Sequence, residues 1–166
     1  MDAHEEAGAP RDAGAPQVEE VLHSGNSGGA VRIGASVRRP AGAWTPTIQR
    51  LLAHLHRRGV TQVPAPLGID EHGRDSTSHL PGQVPQHPLP SWVWRGEVLT
   101  DAARLLAQLH AASAGFDTHG ANWRLSGHEP VQVICHNDVA PYNRVFTDQR
   151  LSGLIDWDTA SPGPRV

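Results

Sequence analysis

No lysine occurs in this 166-residue chain; all fourteen of its Lys/Arg positions are arginine. Every permanent cationic contact therefore falls to a rigid, forked guanidinium instead of a compact ammonium. The single cysteine, Cys135, excludes an intramolecular disulfide, and its place in an apolar run suits a small buried hydrophobe. No stretch approaches the roughly 18 consecutive apolar residues of a membrane span. The acidic start, rich in Pro and Gly, has neither the basic nor the apolar region of a signal peptide. These absences lead to the expectation of a cytoplasmic protein without a membrane partner. A basic block of the kind that marks nucleic-acid binding is missing too. The net charge of -3 is set by residues 1–20, which hold six carboxylates and only Arg11, so the rest of the chain is close to neutral.

What is present fits one domain or two small lobes, with 38% hydrophobic and 19% charged residues. Residues 1–17, with repeated Ala-Gly-Ala-Pro, read as a disordered leader. From Val18 a short segment enters Ser24-Gly25-Asn26-Ser27-Gly28-Gly29, and Ala30 to Ile33 and Ala35 to Arg38 read as strands joined at Gly34. Gly25, Gly28 and Gly29 suit either a plain hairpin turn or a backbone that approaches phosphate oxygens closely. Pro46 to about Arg57 reads as a helix, with Thr45 as N-cap and Ile48, Leu51, Leu52 and Leu55 forming a core-facing stripe. His54 and His56 on it are two apart and cannot face one ion together. Pro64 to Asp70 reads as strand and turn. Residues 83–95, with Pro85, Pro88 and Pro90, form a connector. Gly96 to Ala112 is a second helix whose stripe is Val98, Ala102, Leu105, Leu106 and Leu109, and Ala114 to Pro130 reads as a loop.

The segment from Val133 to Ala160 carries the chemistry. An apolar run from Val131 to Cys135 delivers His136-Asn137-Asp138 into a loop, Asn143 opens a strand at Arg144-Val145-Phe146, and Leu151 to Ile155 delivers Asp156. Taken singly, an Asp or Asn after a strand is a common turn former. The combination is more specific, because two acids each end an apolar strand with an Asn between them. Their oxygens suit a hard ion such as magnesium, which takes one or two protein ligands and keeps several waters.

The order H-x-D-x-x-x-x-N, followed by a strand ending in a second Asp, resembles the catalytic segment of protein-kinase-like enzymes. With Pro141-Tyr142 before Asn143 and Ile155-Asp156-Trp157-Asp158 for the metal motif, it resembles the aminoglycoside phosphotransferase family of small-molecule kinases. That resemblance implies an α+β, protein-kinase-like two-lobed fold, with a small, mainly antiparallel-sheet N-lobe and a helical C-lobe. Residues 18–82 would be the nucleotide-binding N-lobe and hinge, and residues 96–166 part of the C-lobe. The family continues past the metal Asp with further helices, whereas this chain stops ten residues later. A truncated C-lobe is therefore expected, with apolar faces on the second helix and the Val131 to Cys135 strand left open to self-association.

The resemblance also implies roles. Asp138 would receive the hydrogen bond of the attacking hydroxyl, and Asn143 and Asp156 would hold magnesium. ATP would lie under the Gly25, Gly28 and Gly29 flap, with backbone groups of the hinge, around His79 and Leu80, meeting the adenine edge. Arg38 is the first choice for the cation that replaces the family's lysine, and Arg39 is its competitor. Ile48 stands where the family's helix carries the partnering Glu. His136 and Asp158 would support the loops. The implied function is ATP- and magnesium-dependent transfer of a phosphoryl group to a small-molecule hydroxyl. The alternative is a pseudokinase-like, nucleotide-binding remnant without catalysis, supported by the absent lysine, Ile48 and the expected lack of the C-terminal helices. A metal-dependent hydrolase would need further His or carboxylate ligands.

Overall fold

In the computed structural model, which describes residues 19–22 and 29–165, five strands form one antiparallel sheet. They are β1 (Glu19–Val21), β2 (Val31–Ile33), β3 (Ser36–Pro40), β4 (Pro66–Ile69) and β5 (Arg74–Ser78), in the spatial order β1-β2-β3-β5-β4. The leader, Gly25 and Gly28 lie outside the described residues. β5, with the sequence Arg-Asp-Ser-Thr-Ser, lacks the apolar alternation by which strands are read. It nevertheless sits between β3 and β4, with Asp75, Ser76 and Thr77 buried.

The first helix, α1 (Thr45–Arg57), connects β3 to β4 and packs against β4. Thr45 is its first residue and not its cap; the Thr45 hydroxyl accepts a hydrogen bond from the Gly42 N–H at 2.9 Å, just ahead of the helix. The helix stops where Gly59 adopts a left-handed φ of 82°, and the Val60 N–H closes back on the Leu55 carbonyl at 3.0 Å. Ile48, Leu51, Leu52 and Leu55 are all buried.

Beyond the proline-rich segment come a 3-10 turn at Ser91–Trp94 and the long helix α2 (Gly96–Ser113). Two small antiparallel pairs follow: β6 (Val133–Cys135) with β9 (Ser161–Gly163), and β7 (Arg144–Thr147) with β8 (Arg150–Leu154). The architecture is the expected α+β, kinase-like arrangement of a sheet lobe and the beginning of a helical lobe. The open apolar face expected on α2 is largely absent. Val98, Ala102, Leu105 and Leu109 are buried, as are Val133 and Ile134 of β6, while Leu99 and Val131 are exposed and Leu106 is half-buried. α2 gains its cover from β6, β8 and α1.

One continuous core joins the two parts. Ile48, Leu51, Leu52 and Leu55 of α1 meet Leu105 and Leu109 of α2, Ile134 of β6, Leu154 of β8 and Trp157. Backbone pairing follows the same line. The Leu154 N–H donates to the Gln62 carbonyl, and Gln83 and Phe146 exchange both of their backbone bonds at 2.8 and 2.9 Å. The segment expected to be a connector is stitched to β7 at its first residue.

Gly82 makes this stitch possible. Its φ is 141°, and a Cβ placed there would stand 2.6 Å from Val145 Cγ1 and 2.7 Å from the Phe146 carbonyl oxygen. Backbone cannot yield as a side-chain tip can. Gly82→Ala should therefore lower stability by about 1–3 kcal/mol, the scale of an overpacked interior site, read as a lower midpoint in urea unfolding; an unchanged midpoint would show that the 82–146 contact is dispensable.

Candidate active site

Between the inner face of the sheet and the ends of β7 and β8 lies a cleft of about 330 Å³. Its apolar lining comprises Leu22, Val37, Leu52, Leu80, Val84 and Val145 with Ile155 and Trp157. Arg39, Asn143 and Asp156 stand among its polar walls. Val37 and Arg39 reach it together because alternate residues of a strand share a face.

The loop that follows β6 is fixed atom by atom. His136 is buried; its Nδ1 accepts the Asp138 N–H at 3.2 Å and its Nε2 donates to the Ile155 carbonyl at 3.0 Å. This imidazole is neutral, since burial outweighs its nearby carboxylates and lowers its pKa to about 4. It ties the backbone of Asp138 to the residue immediately before Asp156. The Thr159 hydroxyl donates to the His136 carbonyl, and the Asn137 amide donates to the Thr159 carbonyl and the Ser161 hydroxyl. Asn137 and Asp156 both adopt left-handed backbone, with φ of 66° and 61°. Asn and Asp tolerate that region better than other side chains with a Cβ.

Asn143 closes a 3-10 turn, Pro141–Asn143, directly before β7. Its Nδ2 donates to the Asp138 carbonyl at 3.0 Å, which leaves Oδ1 as the electron-donating end of the amide. The Tyr142 hydroxyl donates to Asp138 Oδ1 at 3.2 Å. The Asp138 carboxylate raises the phenol pKa, since a phenolate beside it would be repelled. Tyr142, four residues after Asp138, entered the sequence reading only as part of the Pro141-Tyr142 signature, with no role of its own.

Of the two neighbouring arginines, Arg39 lines this cleft, as Arg32 does, and Arg38 does not. On β3 the Arg38 side chain takes the opposite face, where its Nε lies 3.3 Å from Asp70 in a separate surface groove beside Arg74. Strand parity decides between the two neighbours. Arg39 Nε donates to Asp75 Oδ2 at 2.9 Å, Nη1 to Asp156 Oδ1 at 3.0 Å, and Nη2 lies 2.8 Å from Asp158 Oδ1. Burial alone would lower the Arg39 pKa, but Asp158, Asp75 and Asp156 together raise it, so the guanidinium stays charged. The Asp158 pKa is raised as well, by burial and despite the Arg39 charge, which for a carboxyl disfavours the charged form. Asp75 lies opposite Arg39 in the β3–β5 register. No sequence signal marked it, because cross-strand neighbours follow from register alone.

The remaining expected residues are spread more widely. Leu80 lines the cleft and packs over Gly153, whose Cβ, if present, would stand 2.7 Å from Leu80 Cδ1. His79 also lines the cleft, but its N–H is taken by the Ala35 carbonyl at 2.8 Å. Gly29, with φ of 100°, lies beside the ring of Pro40. Ile48 is buried in the core, and its neighbour Gln49 is the α1 residue that turns to the sheet, donating to Asp75 Oδ1 and to the Ser76 carbonyl. Cys135, with its pKa raised by burial, donates to the Pro164 carbonyl, as a structural thiol does.

The neutral, buried His136 has a measurable consequence. An unfolded chain takes up the imidazole proton near pH 6.5, whereas the folded site resists it until about pH 4. The native state therefore keeps this contribution above pH 6.5 and loses it as pH falls through that window, by up to roughly 3 kcal/mol. Burial depresses His79 and His110 as well, so some slope will remain without His136. Urea midpoints measured from pH 7 to 4.5 should fall more steeply for the parent than for His136→Gln; parallel lines would exclude His136 as the titrating group.

Comparison with known proteins agrees with this geometry. Residues 116–166 match the phosphotransferase enzyme family. The trifolitoxin immunity protein of Rhizobium leguminosarum bv. trifolii is 34% identical over 151 residues, covering 87% of this chain and 56% of that protein. Among solved structures, a choline/ethanolamine kinase family protein from Mesorhizobium loti superposes with a TM-score of 0.59 at 17% identity, over 91% of this chain and 61% of that one. APH(2″)-IIa in its ternary complex with streptomycin and ATP gives 0.61 at 15% identity, over 88% and 67%. The chain thus spans little more than half of its curated relative and about two-thirds of these structures. The segment that matches the phosphotransferase enzyme family carries the Asp138, Asn143 and Asp156 loops, and the chain as a whole shares the fold of these kinases.

Proposed function

We propose that this chain forms the nucleotide and catalytic site of an ATP- and magnesium-dependent phosphotransferase acting on a hydroxyl group of a small molecule. One observation carries the reading. Arg39, Asn143 and Asp156 meet at one cleft, and the Asn143 side chain holds the backbone of Asp138 directly beside it.

The residues fit a magnesium ion by the chemistry of their donors. An amide oxygen and a carboxylate are hard ligands of the number that magnesium takes from protein. Three carboxylates, Asp75, Asp156 and Asp158, surround the single Arg39 guanidinium, and this excess of negative charge favours a further cation. When bound, the ion would neutralise charge on the transferring phosphoryl group. Asn143 and Asp156 would hold it. Arg39 would present its two terminal nitrogens to phosphate oxygens, and the apolar lining of the cleft would cover the base.

Asp138 would take the acceptor's hydroxyl hydrogen bond in the place that Tyr142 occupies here. A carboxylate is too weak a base to strip an alcohol at rest, so its first contribution is orientation. As the oxygen bonds to the γ-phosphorus and ADP departs, the hydroxyl proton passes to Asp138. His136 keeps the Asp138 backbone in register with Asp156 throughout.

The acceptor class rests on the relatives. Streptomycin is bound in one structural neighbour, and the curated relative is an immunity protein against a toxin. Both support a protective enzyme that modifies a hydroxyl-bearing toxic compound. A second reading, a nucleotide-binding module without catalysis, draws on Arg39 itself, which bonds the very carboxylate that the metal requires.

Thermal unfolding with and without magnesium and ATP separates the outcomes. Ligand at 100 times its dissociation constant should stabilise the fold by about 2.7 kcal/mol, and only when metal and nucleotide are both present. Asp156→Asn should abolish that stabilisation. Asp138→Asn should keep it, while phosphoryl transfer to a panel of hydroxyl-bearing antibiotics falls by about 10²–10⁴-fold. Nucleotide binding with no transfer to any acceptor would favour the non-catalytic module, and indifference to ligand would overturn both.

A further inference from the structure

Kinase-like enzymes hold their phosphate-binding lysine with a Glu from the helix that follows. Here α1 offers Ile48, buried in the core, and the chain has no lysine. We propose that Asp75, on the strand next to β3, is the positioning residue for Arg39 in nucleotide binding, and that Gln49 clamps Asp75 for this task. This inference rests on the reading of Arg39 as a phosphate ligand.

The geometry divides the Arg39 fork in two. Asp75 Oδ2 takes Nε at 2.9 Å, while Nη1 and Nη2 point to Asp156 and Asp158 at 3.0 and 2.8 Å. An anchor on Nε leaves the terminal nitrogens directed at the site where a metal ion would compete for Asp156 and phosphates would compete for Arg39. Asp75 does not depend on that competition. It is 2% exposed and lies opposite Arg39 in the β3–β5 register. Its second oxygen is held by Gln49 Nε2, which also donates to the Ser76 carbonyl, while Gln49 Oε1 accepts the Gly68 N–H at 2.9 Å. Gln49 is thereby tied to β4 and β5 together, and so fixes the rotamer of Asp75. An Arg–Asp pair across two strands replaces a Lys–Glu pair between strand and helix.

The test is the affinity of the full chain for two probes, Mg-ATP and adenosine, measured by calorimetry. Asp75→Asn keeps the shape of the side chain and removes its charge. It should weaken Mg-ATP about tenfold, the scale of one charge-assisted hydrogen bond, and leave adenosine unchanged. In an Arg39→Gln background the same substitution should have no further effect, because its target is gone. Gln49→Met leaves the Asp75 charge in place and removes its clamp; a smaller loss confined to Mg-ATP is expected, and this variant decides the matter if Asp75→Asn does not fold. Equal losses for both probes would reduce Asp75 to a structural residue, and parent-like affinity or additive losses would overturn the proposal. A parent that binds adenosine but not Mg-ATP would instead overturn the reading of Arg39 as a phosphate ligand, and this inference with it.

Discussion

One guanidinium facing three carboxylates is the constraint around which this molecule is arranged. Asp75 comes from β5, Asp156 from just after β8, and Asp158 from the turn that follows, so Arg39 joins the sheet to the segment that follows β8. Without it, three partly or fully buried acids would repel one another; Arg124, whose Nη1 is 3.8 Å from Asp158, lies at the edge of the cluster. Removing one partner of a buried ion pair typically costs 3–5 kcal/mol because the remaining charge has no water to turn to. The cluster is therefore better understood as a device that fixes relative position than as a source of net stability. It sets where β3 lies over the loops, and so sets the shape of the cleft.

The loops achieve their own rigidity through uncharged contacts. His136 replaces what could have been a flexible crossing by two hydrogen bonds, one to each strand end, and its ring meets Trp157 edge-on at 4.7 Å. The residues on either side accept unfavourable backbone, Asn137 and Asp156 both at positive φ. Strain of this kind persists only where surrounding contacts over-determine it. Here they do, since Asn137, Thr159 and Ser161 bond across the same gap. The proposed phosphoryl transfer would ask the protein chiefly for positioning, and a loop held on both sides is in place before any ligand arrives.

Much of this was legible in the sequence, and the illegible part has a common cause. The α1 and α2 stripes follow from helical spacing, and the Asp138, Asn143 and Asp156 segment follows from a local motif whose residues lie within twenty positions. Local signals of that kind survive without knowledge of the fold. The choice of Arg39 over Arg38 does not, because it depends on which face of β3 meets the cleft. β5 escaped notice because its polar residues are buried by a register and a helix that the sequence does not display. Asp75 and Gln49 were invisible for the same reason, being neighbours of Arg39 only after three elements have assembled. The expected exposure of α2 failed on similar grounds: β6, β8 and α1 cover its stripe through contacts distant in sequence.

The missing lysine and the apolar Ile48 then have one explanation instead of two. A lysine ammonium on β3 would be drawn to a carboxylate on α1, which would place a charge on the helix face where Ile48, Leu51, Leu52 and Leu55 now enter the shared core. Arginine reaches sideways along the sheet and pairs through Nε with the residue opposite it. With the pairing kept inside the sheet, position 48 is released to hydrophobic packing, and α1 can extend its apolar stripe without interruption to α2 and Trp157. The orientation of the cation then follows from strand register, which a five-stranded sheet holds firmly, and not from the swing of a helix. If Asp75 positions Arg39 as proposed, the two departures from a kinase site would be the two halves of one substitution.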